Sequence, residues 1–199
     1  MTDTYRTIAG PSEGLYKEKM SKFLAFAEPS RTADEALAVV ARYRKEYFDA
    51  RHVCYAYMLG YERKEFRAND NGEPSGTAGK PILGQINSLG LTDVLVVVVR
   101  YFGGRKLGTS GLIAAYRQAA RDALDRAETV ERHVTADIAF SFPYVAMNDV
   151  MKLTREPGIE MTSSSFDNSC SMVLRVELDR VSSIKSRLDK IDGVTFTEL

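Results

Sequence analysis

Six residues constrain this chain more than any others. Val94 to Val99 reads Val-Leu-Val-Val-Val-Val, with no polar break. Branching at Cβ favours extended backbone, and an unbroken apolar run of this length marks a strand buried on both faces. It is far too short to span a bilayer. Whatever else the chain builds must cover this strand from above and below.

What flanks the run is equally unusual. Upstream lies Asn69-Asp-Asn-Gly-Glu-Pro-Ser-Gly-Thr-Ala-Gly-Lys-Pro81, then an apolar helical segment; downstream lies Arg100-Tyr-Phe-Gly-Gly-Arg-Lys-Leu-Gly-Thr-Ser-Gly111. Glycine lets backbone approach a partner closely and take positive φ, at an entropic cost. Two such loops beside regular elements are expected to form a binding surface, because function sits on loops held by a scaffold.

The elements follow from pattern. Thr4–Ile8 is a strand, and Tyr16–Ala27 reads as one longer strand pairing back across the turn at Gly10-Pro11-Ser12. Thr32-Ala-Asp-Glu35 is a capping box opening an amphipathic helix over 32–49. His52–Leu59 alternates as a strand, with His52, Cys54, Ala56 and Met58 on one face. Glu62–Arg67 reads as charged loop. Pro81 fits a helix only in its first turn, so a helix begins near Ala78 with Thr77 as cap and ends at Gly90. Thr109 or Ser110 caps a further helix to about Ala127, whose inner face is alanine (Ala115, Ala119, Ala120, Ala123). From Val134 onward the order is β-α-β-β-α-β, with a hairpin-type turn at Asp167-Asn168. That is the ferredoxin-like split unit. The fold class is α+β in two domains, 1–130 and 131–199.

Composition narrows the function. Net charge is zero, 27 basic against 27 acidic side chains, so no global field draws the chain to nucleic acid or membrane. Locally, residues 76–121 hold six basic side chains (Lys80, Arg100, Arg105, Lys106, Arg117, Arg121) against one acid, Asp93. Cys54 and Cys170 match no zinc or redox spacing. There is no signal-peptide pattern, and a cytoplasmic protein is expected.

The chemistry stays open between binding and catalysis. Gly103-x-x-x-x-Gly108 has phosphate-loop glycine spacing, but Thr109 stands where the lysine belongs. A weaker anion site remains: Gly103, Gly104 and Gly108 lead to a helix start whose amides, with the Thr109 and Ser110 hydroxyls, converge near Arg105 and Lys106. Thr77 and Lys80 offer a second helix start, and Arg100 adds charge. The alternative is a tight turn with solvated basic side chains. Asp70 and Glu73 are candidate Mg2+ ligands, against ordinary turn hydrogen bonding. With His52 they are the only candidates for catalysis; His52 and Cys54 stand about 7 Å apart along a strand, too far for a direct dyad. Tyr101 or Phe102 could stack a base beside phosphate-binding arginines. The other should be a core residue, since neighbours on a strand face opposite sides. The second domain lacks the aromatic pair with which RNA-recognition motifs stack bases.

The string Asp70 to Pro81, followed by Val98-Val-Arg-Tyr-Phe-Gly-Gly104 and Leu107-Gly-Thr-Ser-Gly-Leu112, with His52 upstream, closely resembles the IMPACT family in its YigZ-like bacterial branch. The resemblance implies an N-terminal domain like domain 2 of ribosomal protein S5 and a ferredoxin-like C-terminal domain, folds that touch RNA in translation proteins. Eukaryotic members restrain a starvation-responsive kinase by competing for its activator, and they carry an additional N-terminal interaction domain. That domain is not expected here, where the chain opens on a strand, and the kinase role is not expected to transfer. The expectation is a non-enzymatic regulator or binding protein associated with translation, docking RNA phosphate or a ribosomal partner on the basic glycine loops without a cofactor. The alternative is an enzyme acting on a small phosphorylated or nucleotide-like metabolite with Mg2+.

Overall fold

The computed structural model describes residues 4–167 and 169–198, so the turn expected at Asp167-Asn168 falls partly outside the described residues. The chain divides into two compact units: one is Tyr5–Arg132, and the other takes Thr4 together with the residues from His133 onward.

In the first unit, strands β1 (Thr4–Ile8), β2 (Ser12–Glu18), β3 (Ser21–Pro29), β4 (His52–Leu59), β5 (Glu65–Asn69), β6 (Val94–Tyr101) and β7 (Thr129–His133) are joined by helices α1 (Ala33–Glu46), α2 (Gly79–Ser88) and α3 (Gly108–Arg126). Five strands form one sheet in the order β2-β3-β6-β4-β5, each pair antiparallel. The apolar run is its central strand, and Val94 to Val99 are all fully buried.

Alternation sorts the side chains to two cores. Cys54, Ala56 and Met58 of β4 join Ala25, Ala27, Val96 and Val98 beneath α2 and α3, around Ile82, Ile86, Leu112 and Tyr116. Val53, Tyr55, Tyr57 and Leu59 join Phe26, Leu95, Val97 and Val99 beneath α1, where they meet Val40 and Tyr43. Thr32 caps α1 as expected, its hydroxyl accepting from the Glu35 amide at 3.2 Å while the Glu35 carboxylate accepts from the Arg31 amide at 2.8 Å.

Three expectations need correction. Tyr16–Ala27 is not one strand: Lys19 and Met20 both have positive φ, 46° and 66°, and fold it into the β2–β3 hairpin. Two-residue hairpin turns need that conformation and usually recruit Asn or Gly for it, so Lys-Met gave no signal. Thr4–Ile8 does not pair with the strand that follows; β1 pairs with β7 in a sheet of two. Glu62–Arg67 is not all loop, because β5 pairs with β4 along the sheet edge. Both missed strands are solvent-exposed along most of their length and so carry no apolar alternation.

The second unit runs β8 (Thr135–Phe142), α4 (Met147–Thr154), β9 (Ile159–Phe166), β10 (Cys170–Glu177), α5 (Val181–Leu188) and β11 (Thr195–Thr197). Its sheet order is β11-β8-β10-β9. Ile138, Phe140 and Phe142 of β8 and Met172, Leu174 and Val176 of β10 pack with Val150 and Leu153 of α4 and Ile184 and Leu188 of α5. On β10 and β8, Arg175 pairs with Asp137 through two hydrogen bonds of 2.8 and 2.9 Å.

Candidate functional site

The end of β6, the start of β4 and the two glycine loops enclose a cleft of about 480 Å³. Its floor is charged and buried. The Arg100 guanidinium donates from Nη1 to Glu73 Oε1 at 2.6 Å, with side chains only 7% and 3% exposed. The same Oε1 accepts from the Tyr116 hydroxyl at 2.8 Å, and the Cys54 sulfur lies 3.4 Å from that hydroxyl. His52 lies beside them, its Nε2 4.0 Å from Glu73 Oε1. Arg100 also sits between two rings, 5.5 Å from the Phe23 centroid and 5.6 Å from that of Phe102, a geometry that favours a cation. The walls are Pro74, Phe102, Leu107 and Leu112; the exposed rim carries Arg51, Lys106, Gly108 and Thr109.

Burial acts strongly on this floor. It pushes the Cys54 thiol up to about 12, with the Glu73 and Asp70 charges adding to the rise and the Tyr116 hydrogen bond opposing it. Burial first, then Cys54 and Glu73, drives the Tyr116 phenol far above its ordinary value. Neither ionises near neutrality. The His52–Cys54 dyad does not form: the thiol donates to the Asp70 carbonyl at 2.9 Å, and His52 Nδ1 bonds the Asn71 carbonyl at 2.9 Å.

Of the two readings of Asp70, metal ligand or hydrogen-bonding turn residue, the contacts follow the second. Asp70 Oδ1 accepts from the amides of Ala78 and Gly79 at 3.0 and 2.8 Å, and its Oδ2 from that of Gly76 at 2.8 Å. It therefore caps α2 from eight residues upstream. Thr77, expected as the cap, instead donates its hydroxyl to the Pro74 carbonyl at 2.6 Å, and α2 has no cap from its flanking residue. Asp70 is taken up by amides and Glu73 by Arg100 and Tyr116. Among the described residues no three His, Cys, Asp or Glu side chains gather where they could hold a metal ion. Burial alone would raise the Asp70 carboxyl, but the amides of Gly76, Gly79 and Ala78, with the Lys80 charge, outweigh it and hold it below its ordinary value. The depressed value means Asp70 stabilises fully above its unfolded pKa of about 3.9, and the contribution is lost as pH falls through the folded value. Asp70→Asn is expected to cost about 1–3 kcal/mol near neutrality. Urea melts should show the gap between Asp70→Asn and the natural protein closing as pH drops below about 4.

The cleft gathers Arg100, Lys106, Gly108 and Thr109 of the basic residues and loop positions singled out in the sequence. Lys80 lines a separate open hollow of about 600 Å³ between α2 and α3, opposite Arg117. Arg105 is exposed and lines neither. Tyr101 turns to the α1 side of the sheet and donates its hydroxyl to Asp49 at 2.7 Å, so Phe102, half exposed, is the ring presented to the cleft. Gly103 packs its bare Cα on the Met20–Ser21 backbone, where any Cβ would collide, and its amide donates to Ser21 Oγ at 3.2 Å. Gly104 and Gly108 take positive φ, 85° and 74°. Thr109 and Ser110 lie inside the first turn of α3 and do not cap it, and its N-cap residue, Leu107, makes no side-chain capping bond among the described residues. Sequence reasoning missed Arg51 and Tyr116. Tyr116 stands four residues after Leu112 on the buried face of α3, which was the available signal for an inward ring.

Comparisons with known proteins agree on one family. A family model, the Impact N-terminal domain, matches residues 19–124, more than half of the chain. The chain is 35% identical over 156 residues to the IMPACT family member YvyE of Bacillus subtilis, covering 78% of this chain and 72% of that protein. It is 38% identical over 156 residues to an IMPACT family member of Thermus thermophilus, covering 78% and 84%, and 32% identical over 172 residues to YigZ of Escherichia coli, covering 85% and 83%. A crystal structure described as that of a hypothetical protein superposes with a TM-score of 0.82 at 26% identity, over 100% of this chain and 98% of the other. The loops that build the cleft lie inside the matched domain, and the chain belongs to the IMPACT family.

Proposed function

We propose that the protein is a translation-associated binding protein that docks a nucleotide unit of RNA in the β4–β6–α3 cleft. One observation carries this reading: cationic Arg51 and Lys106 ring a cleft whose other wall is an exposed aromatic, Phe102, beside a helix start whose N-cap residue makes no side-chain capping bond. Phosphate is held by the rim cations and the α3 amides, and a base stacks on Phe102. The S5-domain-2-like reading of the first unit and the ferredoxin-like reading of the second belong to the same proposal. The β-α-β-β-α-β order with sheet order β11-β8-β10-β9 supports the second of these. Among the described residues no helix is long and apolar enough to cross a membrane.

The test is anisotropy of a labelled single-stranded RNA across a salt series. Each lost phosphate contact should flatten the salt slope by about one unit, so Arg51→Ala and Lys106→Ala should each weaken binding and flatten it. Phe102→Ala should cost about 1–3 kcal/mol without changing the slope. Isotherms unaffected by all three would reject the placement. Co-sedimentation with ribosomes that disappears on RNase treatment would tie the docking to translation.

A second reading is an enzyme acting on a small phosphorylated or nucleotide-like metabolite, favoured by a cleft of ligand size with a buried ion pair in its floor. Thermal-shift screening with nucleotides, with and without Mg2+, separates the two.

A further inference from the structure

The cleft floor holds two acceptors that the protein leaves unanswered. The first is Glu73 Oε2. Both donors that reach this carboxylate, Arg100 Nη1 and the Tyr116 hydroxyl, go to Oε1. Oε2 meets no donor among the described residues, yet it is not sealed from solvent as the partnerless Arg100 Nε is. The second is His52 Nε2. Its ring partner at 2.9 Å is the Asn71 carbonyl, which can only accept. Nδ1 therefore carries a proton, and in that tautomer Nε2 is the ring's acceptor. Glu73 stands 4.0 Å away, beyond hydrogen-bond reach.

An acceptor pair in a buried floor calls for a ligand that brings donors, since a buried polar group left unmade is costly. Its geometry selects among donors. An amidine-like base edge needs both carboxylate oxygens in a plane, and Oε1 is already saturated by Arg100 and Tyr116. What remains is one carboxylate oxygen and one imidazole nitrogen on two residues that line the same cleft, each able to take one hydrogen. Two adjacent hydroxyls fit that pair, one donating to each. The cationic rim above requires the same ligand to carry phosphate.

We propose that the floor reads the free cis-diol of a ribose, with Glu73 Oε2 accepting from one hydroxyl and His52 Nε2 from the other. The inference rests on the nucleotide reading given above and sharpens it. An internal RNA residue has its 3′ oxygen esterified and offers only one of the two hydroxyls; an internal DNA residue offers neither, and a DNA 3′ end only one. The ligand is therefore the 3′ terminus of an RNA or a free ribonucleotide, and not a strand running through.

Titration calorimetry decides this with four probes: a ribonucleoside 5′-monophosphate panel, the matching 2′-deoxy panel, and a short single-stranded RNA ending in either a 3′-hydroxyl or a 3′-phosphate. Ribose over deoxyribose by about tenfold or more, the loss expected when a charged acceptor goes unmade, supports the proposal. So does the 3′-hydroxyl RNA over its 3′-phosphate, and the tighter of the two diol ligands identifies the source. His52→Phe, which keeps a ring in the pocket, should bring the ribose-to-deoxyribose ratio close to one while the rim still holds phosphate. Equal affinity for ribose and deoxyribose forms, or for the two RNA ends, overturns the diol assignment and leaves RNA docking standing. No binding by any probe overturns both. The comparison in the natural protein needs no variant to fold.

Discussion

Glu73→Ala is expected to destabilise the first unit by about 3–5 kcal/mol, the cost of leaving a buried charge without its partner. Arg100 is only 6% exposed, so its guanidinium cannot swing out to water when the carboxylate is removed. Tyr116, fully buried, loses its acceptor at the same time. The measurement is urea denaturation, and its sharpest form is a cycle. Removing Arg100 as well, as in Arg100→Met with Glu73→Leu, should recover much of the loss, because replacing a whole buried pair by apolar side chains is often nearly neutral. A double variant less stable than Glu73→Ala alone would show that the stranded guanidinium is not what destabilises the single variant. The double variant should also lose the preference for ribose over deoxyribose probes, even where it is stable. The pair's retention would then be explained by the ligand and not by the fold.

Gly14→Ala is expected to have the next largest effect. A methyl group at Gly14 would lie 2.9 Å from Ala123 Cα and closer still to the Ala123 amide nitrogen. These are backbone atoms that cannot rotate aside. The neighbouring contacts lock the same approach: Ser12 Oγ donates to the Ala123 carbonyl at 2.7 Å, and the Leu15 amide to Asp122 at 2.8 Å. Pushing α3 off β2 should cost about 1–3 kcal/mol, the usual range for overpacking, and upward of that if the helix shifts as a body. Because Gly108, Thr109 and Leu112 of the same helix line the cleft, ligand affinity should fall with it. Gly84 provides the contrast. It sits inside α2 with nothing within 4 Å of an added Cβ, so Gly84→Ala should raise stability by about 0.5–1 kcal/mol. Thermal melts of the two variants should move in opposite directions.

What the sequence disclosed follows physical lines. Wherever a signal is local and periodic it could be read: Val94–Val99 as a strand covered on both faces, Thr32–Glu35 as a capping box, the alanine face of α3. Wherever the determinant is remote or non-periodic it could not. Asp70 caps a helix eight and nine residues away, and no local rule connects the two. Glu73 and Arg100 are separated by 27 positions, and only the sheet brings them together. Lys19-Met20 adopts left-handed backbone without the residues that announce it. Strands β5 and β7 are exposed along most of their length, so nothing in their composition separates them from loop. The site was legible as a neighbourhood, the glycine loops around Arg100, Lys106 and Thr109. It was not legible as a floor, because burial decides that Arg100 is a structural counter-ion and Arg51 the free rim charge.

Each compact unit also carries one cysteine in its interior, Cys54 in the first and Cys170 in the second, both free of any disulfide. An alkylating reagent therefore cannot touch either sulfur until the surrounding core parts. The rate at which each peptide gains mass times the opening of its own half of the chain. With no label introduced, one experiment would tell whether the halves breathe together or separately, and whether a bound nucleotide slows only the half that holds it.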